Sequence, residues 1–370
     1  MSIQDEIKAK HQRVKEALAA CELDGVLLTR RCNFSWYTSG AHNHVNTAVD
    51  AGTASLLVTA DGATLLTNNI EAVRFRGEDL AGRDIAVVDV PWHDNAARIG
   101  AYNDLIAGRA VAADVAIPGV KTRPWSAVLD EMRWTLLDAE IERYRQLSVD
   151  VAASLEEVAT TVTPGATEWE LAGLLSAILH QRGCLPLVVL VAGEGRVPKY
   201  RHPLPTTAPV NKYGMLVTCA ERDGLIAAVT RLFYFGKPPA ELAAKHRAVV
   251  TVDAAMIDAT RPGATLGGVL DAGIAMYREM GFADEWRLHH QGGSCGYQPR
   301  EIIATPGDTT AVLAGQAFAW NPSITGTKSE DTILCRPDGP AEILSATDDW
   351  PVFDVEINGT VYQRPDILAR

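Results

Sequence analysis

The sequence lacks an excess of basic residues, a long apolar run and a paired cysteine motif. Its 46 acidic side chains outnumber the 34 basic ones, for a net charge of −12. Such a charge repels polyanions, so we expect no binding to nucleic acid or to an anionic membrane. A small anionic substrate stays possible, because one local arginine can outweigh the global field.

No apolar run approaches the ~20 residues that a membrane-spanning helix needs. The opening residues, "MSIQDEIKAKHQRVKEAL", show no cationic start that leads into an apolar run, so we expect no signal peptide. The six cysteines are scattered without a CxxC pair. This pattern favours reduced thiols over a disulfide framework and predicts a cytoplasmic protein.

The length of 370 residues predicts two domains. Residues 1–136 alternate helical and strand-like segments, which indicates a compact α/β domain. Within it, two apolar runs flank Ala60-Asp61-Gly62, a signal for a β-hairpin, whereas "RRCNFSWYTSG" is predicted to be a polar-aromatic loop. Residues 137–370 form the second predicted domain.

The second domain contains an internal repeat. "TPGATEWEL" and "RPGATLGGV" lie about a hundred residues apart, each between two predicted helices, and each unit leads into strand-like sequence. We interpret this as a duplication of an α–α–β half across a pseudo-twofold axis, although a helix stop can recur by chance. Further hairpins are predicted at "ERDG" and at Asp338-Gly339. An active site is expected where the two halves meet.

Four positions in this domain carry side chains suited to chemistry. They are His202 in "YRHPLP", the pair His289 and His290 in "HHQGGSCGYQPRE", Arg300, and Glu330 in "KSEDTIL". Each also has an ordinary structural interpretation. A loop histidine often only forms a hydrogen bond, and neighbouring residues of a strand point to opposite faces, so at most one histidine of the pair is expected to face a given site.

Taken together, these segments resemble the pita-bread family of aminopeptidase P, prolidase, methionine aminopeptidase and creatinase. "NFSWYTSG" is similar to a loop of the amino-terminal domain in creatinase and aminopeptidase P. "EIERYRQLSVDVAASLEEVATTVTPGATEWEL" is similar to the entry into the catalytic domain, and "DGLIAAVTRLF", "HHQGG" and "KSEDTIL" follow in the family's order. The resemblance implies a creatinase-like α/β amino-terminal domain and a pita-bread α+β carboxy-terminal domain.

Metallopeptidases of this family bind two metal ions through two Asp, one His and two Glu. The resemblance places the first Asp at Val217 or Thr218, the second at Ala228 and the first Glu at Asn321, so that only His290 and Glu330 remain. Two ligands do not hold a two-metal site, because hard divalent ions need several oxygen donors. A rebuilt site that uses Cys219 or Cys295 with His290 is an alternative. We expect no metal and no other cofactor.

Creatinase has the same fold without the metal, and ectoine hydrolase is another member that acts on a small cyclic amidine. The resemblance therefore implies a metal-independent hydrolase of an amidine, guanidine or lactam C–N bond in a small substrate that bears a carboxylate. Thr230 replaces a second creatinase Glu, so creatine itself is disfavoured. The expected catalytic residues are His202, Glu330 and His290, and the expected substrate contacts are Arg300, Tyr297, Thr230, Asn321, Trp36 and Phe34.

Three alternatives come from other classes of protein. The chain could be an atypical metal-dependent Xaa-Pro aminopeptidase or dipeptidase, a non-catalytic binding module, or a lyase acting on a small acid. Creatinase-type relatives are commonly homodimers, and this implies a homodimer here. In that case Phe34, Trp36 and Tyr37 either reach the partner's site or pack within their own subunit.

Overall fold

The computed structural model describes residues Met1 to Arg370 and divides them into two compact units, Met1–Ala139 and Glu140–Arg370. The boundary expected from the sequence, between residues 136 and 137, lies a few residues earlier. None of the helices combines the length and the apolar content that crossing a membrane requires.

The first unit is a five-stranded sheet with helices, in the sheet order β4-β3-β2-β1-β5. Val26, Leu27 and Leu57 are buried in its core. The predicted hairpin is confirmed, since β2 and β3 pair antiparallel around Gly62. The elements are α1 (Ile3–Ala20), β1 (Gly25–Arg30), α2 (Arg31–Tyr37), β2 (Ala51–Thr59), β3 (Ala63–Asn68), α3 (Ala72–Arg74), β4 (Ala86–Val90), α4 (Asn95–Ile106), β5 (Val111–Ala113) and α5 (Ala127–Asp130).

The predicted polar-aromatic loop is instead helix α2, and this corrects the expected role of its aromatic rings. Phe34 and Trp36 are 0% and 1% exposed. Phe34 meets the ring of Phe75 edge to face, and Lys10 donates a hydrogen bond to the backbone oxygen of Trp36. Tyr37 is buried as well. Rings buried inside their own unit have no surface left for substrate, so Phe34 and Trp36 are not substrate contacts in this structure.

The second unit contains two sheets, ordered β18-β8-β7-β6 and β10-β9-β11-β14-β15, and two separate hairpins, β12–β13 and β16–β17. Its elements are α6 (Asp138–Thr161), α7 (Glu168–Gln181), β6 (Leu185–Gly193), β7 (Tyr213–Arg222), β8 (Leu225–Tyr234), α8 (Ala240–Ala259), α9 (Leu266–Glu279), β9 (Gly292–Cys295), β10 (Ile302–Ile303), β11 (Ala317–Trp320), β12 (Ser323–Ile324), β13 (Thr327–Lys328), β14 (Asp331–Leu334), β15 (Glu342–Ile343), β16 (Val352–Ile357), β17 (Thr360–Pro365) and β18 (Leu368–Ala369).

The internal repeat is confirmed by matching backbone hydrogen bonds. In the first half Gly165 N donates to Val210 O, and Val210 N donates to Ala166 O; in the second half Gly263, Val312 and Ala264 repeat both bonds. The following threonine of each repeat caps its helix, since Thr167 accepts from the backbone of α7 and Thr265 from that of α9. The two halves therefore have the same local construction.

The two halves meet where β8 contacts the start of β14. Thr230 N donates to Glu330 O at 3.1 Å, and Ala228 N donates to Thr332 Oγ1 at 2.9 Å. Beside this contact, Asp331 receives hydrogen bonds from Arg231 at 2.9 Å and from Arg364 at 2.6 Å, all three side chains being buried. The segment that carries Glu330 is thus anchored from both halves.

The hairpins β12–β13 and β16–β17 were not predicted, although the second has a clear sequence signal. Strands β16 and β17 pair antiparallel around Asn358-Gly359, and Asn-Gly between alternating residues is a strong hairpin signal. The predicted hairpins at "ERDG" and at Asp338-Gly339 are confirmed as β7–β8 and β14–β15.

Candidate active site

A pocket of about 250 Å³ lies at the junction of the two halves of the second unit. Its polar side chains come from loops and strand ends, and its apolar wall comes largely from β6 and β7. The lining residues are Val188, Leu190, His202, Val217, Cys219, His290, Pro299, Arg300, Asn321, Lys328 and Glu330.

The floor of the pocket is a cluster of charges around Glu330. Arg300 Nη2 lies 2.7 Å from one carboxylate oxygen. Lys328 Nζ lies 2.7 Å from the other, which also accepts a hydrogen bond from Thr230 Oγ1 at 2.7 Å. Burial alone would raise the pKa of the Glu330 carboxyl, but Lys328 and Arg300 outweigh it and lower this pKa to about 2. Glu330 is therefore ionised.

Three histidines converge at the mouth of the pocket. His202 Nε2 and His289 Nε2 are 2.9 Å apart. The rings of His289 and His290 stack with their centroids 4.5 Å apart, and the ring of His202 lies 5.8 Å from that of His290. The nearest ligand atoms of the three rings all lie within 4.8 Å of one another. This arrangement was not predicted, because only one histidine of the pair was expected to face the site.

The alternation rule fails at His289 because this residue is not within a strand. It follows the short 3₁₀ turn Glu285–Leu288 as its C-cap, with φ −157° and ψ 147°, and β9 begins only at Gly292. His290 then turns its Nδ1 toward the backbone N–H of Gly292, 3.3 Å away. The two neighbouring rings can therefore stack on one side of the chain.

All three imidazoles are held neutral. Burial, followed by the field of Lys328, lowers the pKa of His289 to about 2. Burial, followed by Arg300, lowers the pKa of His290 to about 4. Burial and Lys328 also lower the pKa of His202. Each ring therefore has one nitrogen lone pair at neutral pH.

The glycines after the histidines are required by the packing of β9. This strand lies between β10 and β11. A Cβ on Gly292 would lie 2.1 Å from Ala319 O, and the φ of Gly292 is +95°, in the region that favours glycine. Gly292 thus lets the chain pass close to β11 two residues after His290, and Gly293 does the same toward β10, since a Cβ there would lie 1.9 Å from Ile302 O.

The residues present do not fit the two-metal site of the family. Val217, Ala228 and Asn321 occupy expected carboxylate positions, and both oxygens of Glu330 are already engaged by cations. The alternative thiolate site does not fit either. Burial raises the pKa of Cys219 to about 11 and that of Cys295 to about 12, which keeps both thiols protonated.

The structure brings together most of the predicted site residues, namely His202, His290, Arg300, Thr230, Asn321 and Glu330. Tyr297 is an exception and a correction: it is buried, and its hydroxyl donates to Glu140 Oε1 at 2.6 Å instead of facing the pocket. Two residues were missed as site components. Lys328 precedes Glu330 by two residues in the quoted motif, a spacing that places both on one face of an extended segment. His289 was excluded by the alternation rule.

A substitution of Gly292 tests the local geometry. Gly292→Ala should lower the free energy of unfolding by about 2–3 kcal/mol or more, because the new methyl group meets the backbone of β11. Gly173→Ala is the control: Gly173 lies exposed in α7 with open space around its Cβ position, so it should stabilise by about 0.5–1 kcal/mol. Urea unfolding measures both, and equal stability of the Gly292 variant and the parent would contradict the described packing.

Comparison with known proteins identifies peptidases. The model of the family described as "Metallopeptidase family M24" matches residues 142–337. A probable dipeptidase PepE of Mycobacterium tuberculosis is 22% identical over 315 residues, which cover 79% of this chain and 83% of the relative.

Two solved structures show the same fold over nearly the whole length. Dipeptidase PepE from Mycobacterium ulcerans superimposes with a TM-score of 0.76 at 17% identity, covering 99% of this chain and 98% of its own. The prolidase from Pyrococcus horikoshii gives a TM-score of 0.78 at 18% identity, covering 92% of this chain and 99% of its own. The expected two-domain pita-bread architecture is therefore confirmed.

The comparisons also correct the expected reaction. A metal-independent hydrolase of an amidine, guanidine or lactam was expected from the likeness to creatinase. The family that matches is instead one of peptidases, and the curated relatives are named as dipeptidases. The expectation of a non-peptide substrate was wrong, because it rested on the lost carboxylates and on the likeness of His202, Arg300 and Glu330 to creatinase, and neither says which bond this chain cleaves.

Proposed function

Since the chain belongs to metallopeptidase family M24, we propose that this hydrolase cleaves the peptide bond of a dipeptide or another short peptide with a free carboxylate. The reaction takes place in the pocket lined by Arg300, Lys328, Glu330, His202 and His290, with His289 in contact with both histidines. The relatives named dipeptidase and prolidase make Xaa-Pro and other dipeptides the first substrates to examine.

The observation that carries this proposal is a pair of unpartnered polar atoms. Arg300 Nε is a buried donor without an acceptor, and Asn321 Oδ1 is a buried acceptor without a donor. Both residues line the pocket. A buried polar atom normally has a partner, so an unsatisfied pair in a pocket supports a ligand that carries both an acceptor and a donor. A peptide carries both at each residue.

The charge of the pocket supports an anionic group on that ligand. Arg300 and Lys328 contribute two positive charges and Glu330 one negative charge, which leaves one net positive charge when the histidines are neutral. Arg300 donates from Nη2 to Glu330 and from Nη1 to Pro299 O, whereas its Nε has no partner. Arg300 Nε and the remaining protons of Lys328 Nζ are therefore donors available to a carboxylate. The free carboxylate of a short peptide completes this charge balance.

The volume of the pocket and its apolar lining residues limit the choice of substrate further. The volume of about 250 Å³ lies below the ~300–1,000 Å³ of sites for drug-sized ligands. Val188, Leu190, Val217 and Pro299 form its apolar side. A compact apolar residue such as proline fits against this wall, while the charged floor orients the carboxylate and so fixes the position of the scissile bond.

The three histidines are the only uncharged bases at the mouth of the pocket. Neutral imidazoles can accept a proton from the attacking water or bind a group that activates it. Arg300 and Lys328 can stabilise negative charge on the carbonyl oxygen or on the carboxylate. The homodimer and the cytoplasmic location that the sequence suggested stay predictions.

Hydrolysis of dipeptides tests the proposed reaction. We expect release of free amino acids from at least one Xaa-Pro or non-proline dipeptide, measured with added zinc, cobalt or manganese and without them. His202→Ala should lower kcat/KM by at least ~10², while His180→Ala, an exposed histidine on α7, should act like the parent. Absence of cleavage across the whole panel would contradict a peptidase and favour the non-catalytic alternative.

Recognition of the carboxylate is tested with a pair of substrates. The parent should prefer a dipeptide over its carboxamide by more than ~10-fold in kcat/KM, because the amide lacks the charge that Arg300 and Lys328 bind. Lys328→Met removes one of these cations and should shrink this preference while circular dichroism stays unchanged. Lys237→Met, on the segment after β8, is the control. If Lys328→Met keeps the full preference for the dipeptide over its carboxamide, Lys328 does not bind the substrate carboxylate.

A further inference from the structure

We propose that His202, His289 and His290 together bind one divalent transition-metal ion of the zinc type. This site differs in ligands and in number of ions from the two-metal site whose carboxylates this chain lacks. The inference deepens the proposed function, since it names the group that would activate water. Metal binding is nevertheless measured without substrate, so the two proposals can fail separately.

The geometry of the three rings is close to that of a metal site. Zinc binds imidazole nitrogen at ~2.0–2.1 Å, so two nitrogens on a tetrahedral ion lie ~3.3 Å apart. His202 Nε2 and His289 Nε2 are 2.9 Å apart, and all three ligand atoms lie within 4.8 Å. Separations up to 4.8 Å have to shorten on binding, and His202, which is exposed on a loop, is one side chain that can move.

His290 lies beside the same point. Its Nδ1 faces the backbone N–H of Gly292, so its Nε2 is the atom directed away from the chain. Because Nδ1 accepts this hydrogen bond, the proton of the neutral ring is on Nε2. Binding of a metal through Nε2 therefore requires the proton to move to Nδ1 and the 3.3 Å contact with Gly292 to be given up. His289 is held by stacking on His290, at an interplanar angle of 27°. The stacked pair is therefore held in place before a metal binds, and His290 has to change its tautomer to bind one.

Hydrogen bonding alone accounts poorly for the cluster. A pair of neutral imidazoles shares one proton, and this satisfies the contact between His202 and His289 but leaves His289 Nδ1 buried without a partner. Three of the nine histidines of the chain meet at this one point. Binding of one ion through Nε2 of His202 and Nε2 of His289 would use both of these lone pairs, of which the N–H···N contact uses one.

The ligand set selects the metal. Three imidazoles and no carboxylate suit zinc, cobalt, nickel or copper, whereas manganese and magnesium prefer oxygen donors. Three protein ligands leave a fourth position for water, which is the arrangement of catalytic zinc. A water bound there would face a pocket whose floor positions the substrate carboxylate.

The charges nearby set the strength of binding. Lys328 and Arg300 repel a dication, and Glu330 offsets only one of their two charges. The site should therefore bind metal more weakly than a closed structural zinc site and release it to a chelator. The same positive charges would favour the loss of a proton from a water molecule bound to that ion.

Cobalt titration of the full-length, tag-free protein tests the inference. After removal of metal with a chelator and dialysis, Co²⁺ should produce the visible absorption bands of a four-coordinate ion and saturate at one equivalent per chain. Zinc should displace the cobalt, and calorimetry should show weak or no binding of Mn²⁺.

Matched variants assign the ligands. His289→Phe keeps the ring stacking but removes the ligand, and His202→Ala changes only an exposed loop side chain; each should weaken Co²⁺ binding by more than ~10-fold. His180→Ala should bind like the parent. Circular dichroism confirms that each variant is folded.

Three results would overturn the proposal: no visible bands with Co²⁺ up to saturating concentration, saturation at two equivalents, or unchanged binding in folded His289→Phe. Co²⁺ binding without cleavage of any dipeptide would keep the metal site and refute the proposed peptidase. Cleavage that persists fully in the metal-free protein would keep the proposed peptidase and refute a role for the bound ion in activating water.

Discussion

The structure of the candidate site depends on one buried carboxylate, that of Glu330. It holds Arg300 on one oxygen and Lys328 with Thr230 on the other. Removing one partner of such a buried pair typically costs about 3–5 kcal/mol, because the remaining charge is left uncompensated. Glu330 therefore fixes the positions of Arg300 and Lys328 at the floor of the pocket. The hydrogen bonds from Arg231 and Arg364 to the neighbouring Asp331 anchor the segment that carries Glu330.

This use of Glu330 explains how the chain keeps the fold of a metallopeptidase without its two-metal ligands. Three positions that the resemblance assigns to carboxylates hold Val217 or Thr218, Ala228 and Asn321. In their absence a remaining glutamate would be an unpaired buried charge. Lys328 and Arg300 supply the missing positive charge, so ion pairing replaces metal coordination at this position. The histidines then stand apart from the carboxylate, at the mouth of the pocket.

Much of the fold could be predicted from the sequence because its signals are local. The repeated Pro-Gly-Ala-Thr, the Asp-Gly turns and the capping threonines each specify a structure within a few residues. His202, His290, Arg300 and Glu330 could be predicted from motif order, and they do meet in one pocket. The placement of Phe34, Trp36 and Tyr297 depends on which side chains are buried, and a local pattern does not contain that information.

The histidine pair illustrates the same limit of prediction from local sequence patterns. Alternation in a strand predicts opposite faces for His289 and His290, but a 3₁₀ turn ends directly before them and β9 starts only after Gln291. The boundary of an element decides the direction of a side chain, and boundaries are the least predictable feature of a sequence. Lys328 could not be assigned from the sequence for another reason, since a lysine two residues before a glutamate is as common on a solvated strand as in a buried ion pair.

The central claim is that Glu330 pairs with cations while imidazoles alone are free to bind a metal. Anomalous diffraction at the zinc absorption edge, from crystals of the zinc-loaded protein, tests it most directly. The account predicts one zinc ion per chain among His202, His289 and His290, with Glu330 still paired to Arg300 and Lys328. Two ions bridged by the Glu330 carboxylate would contradict it.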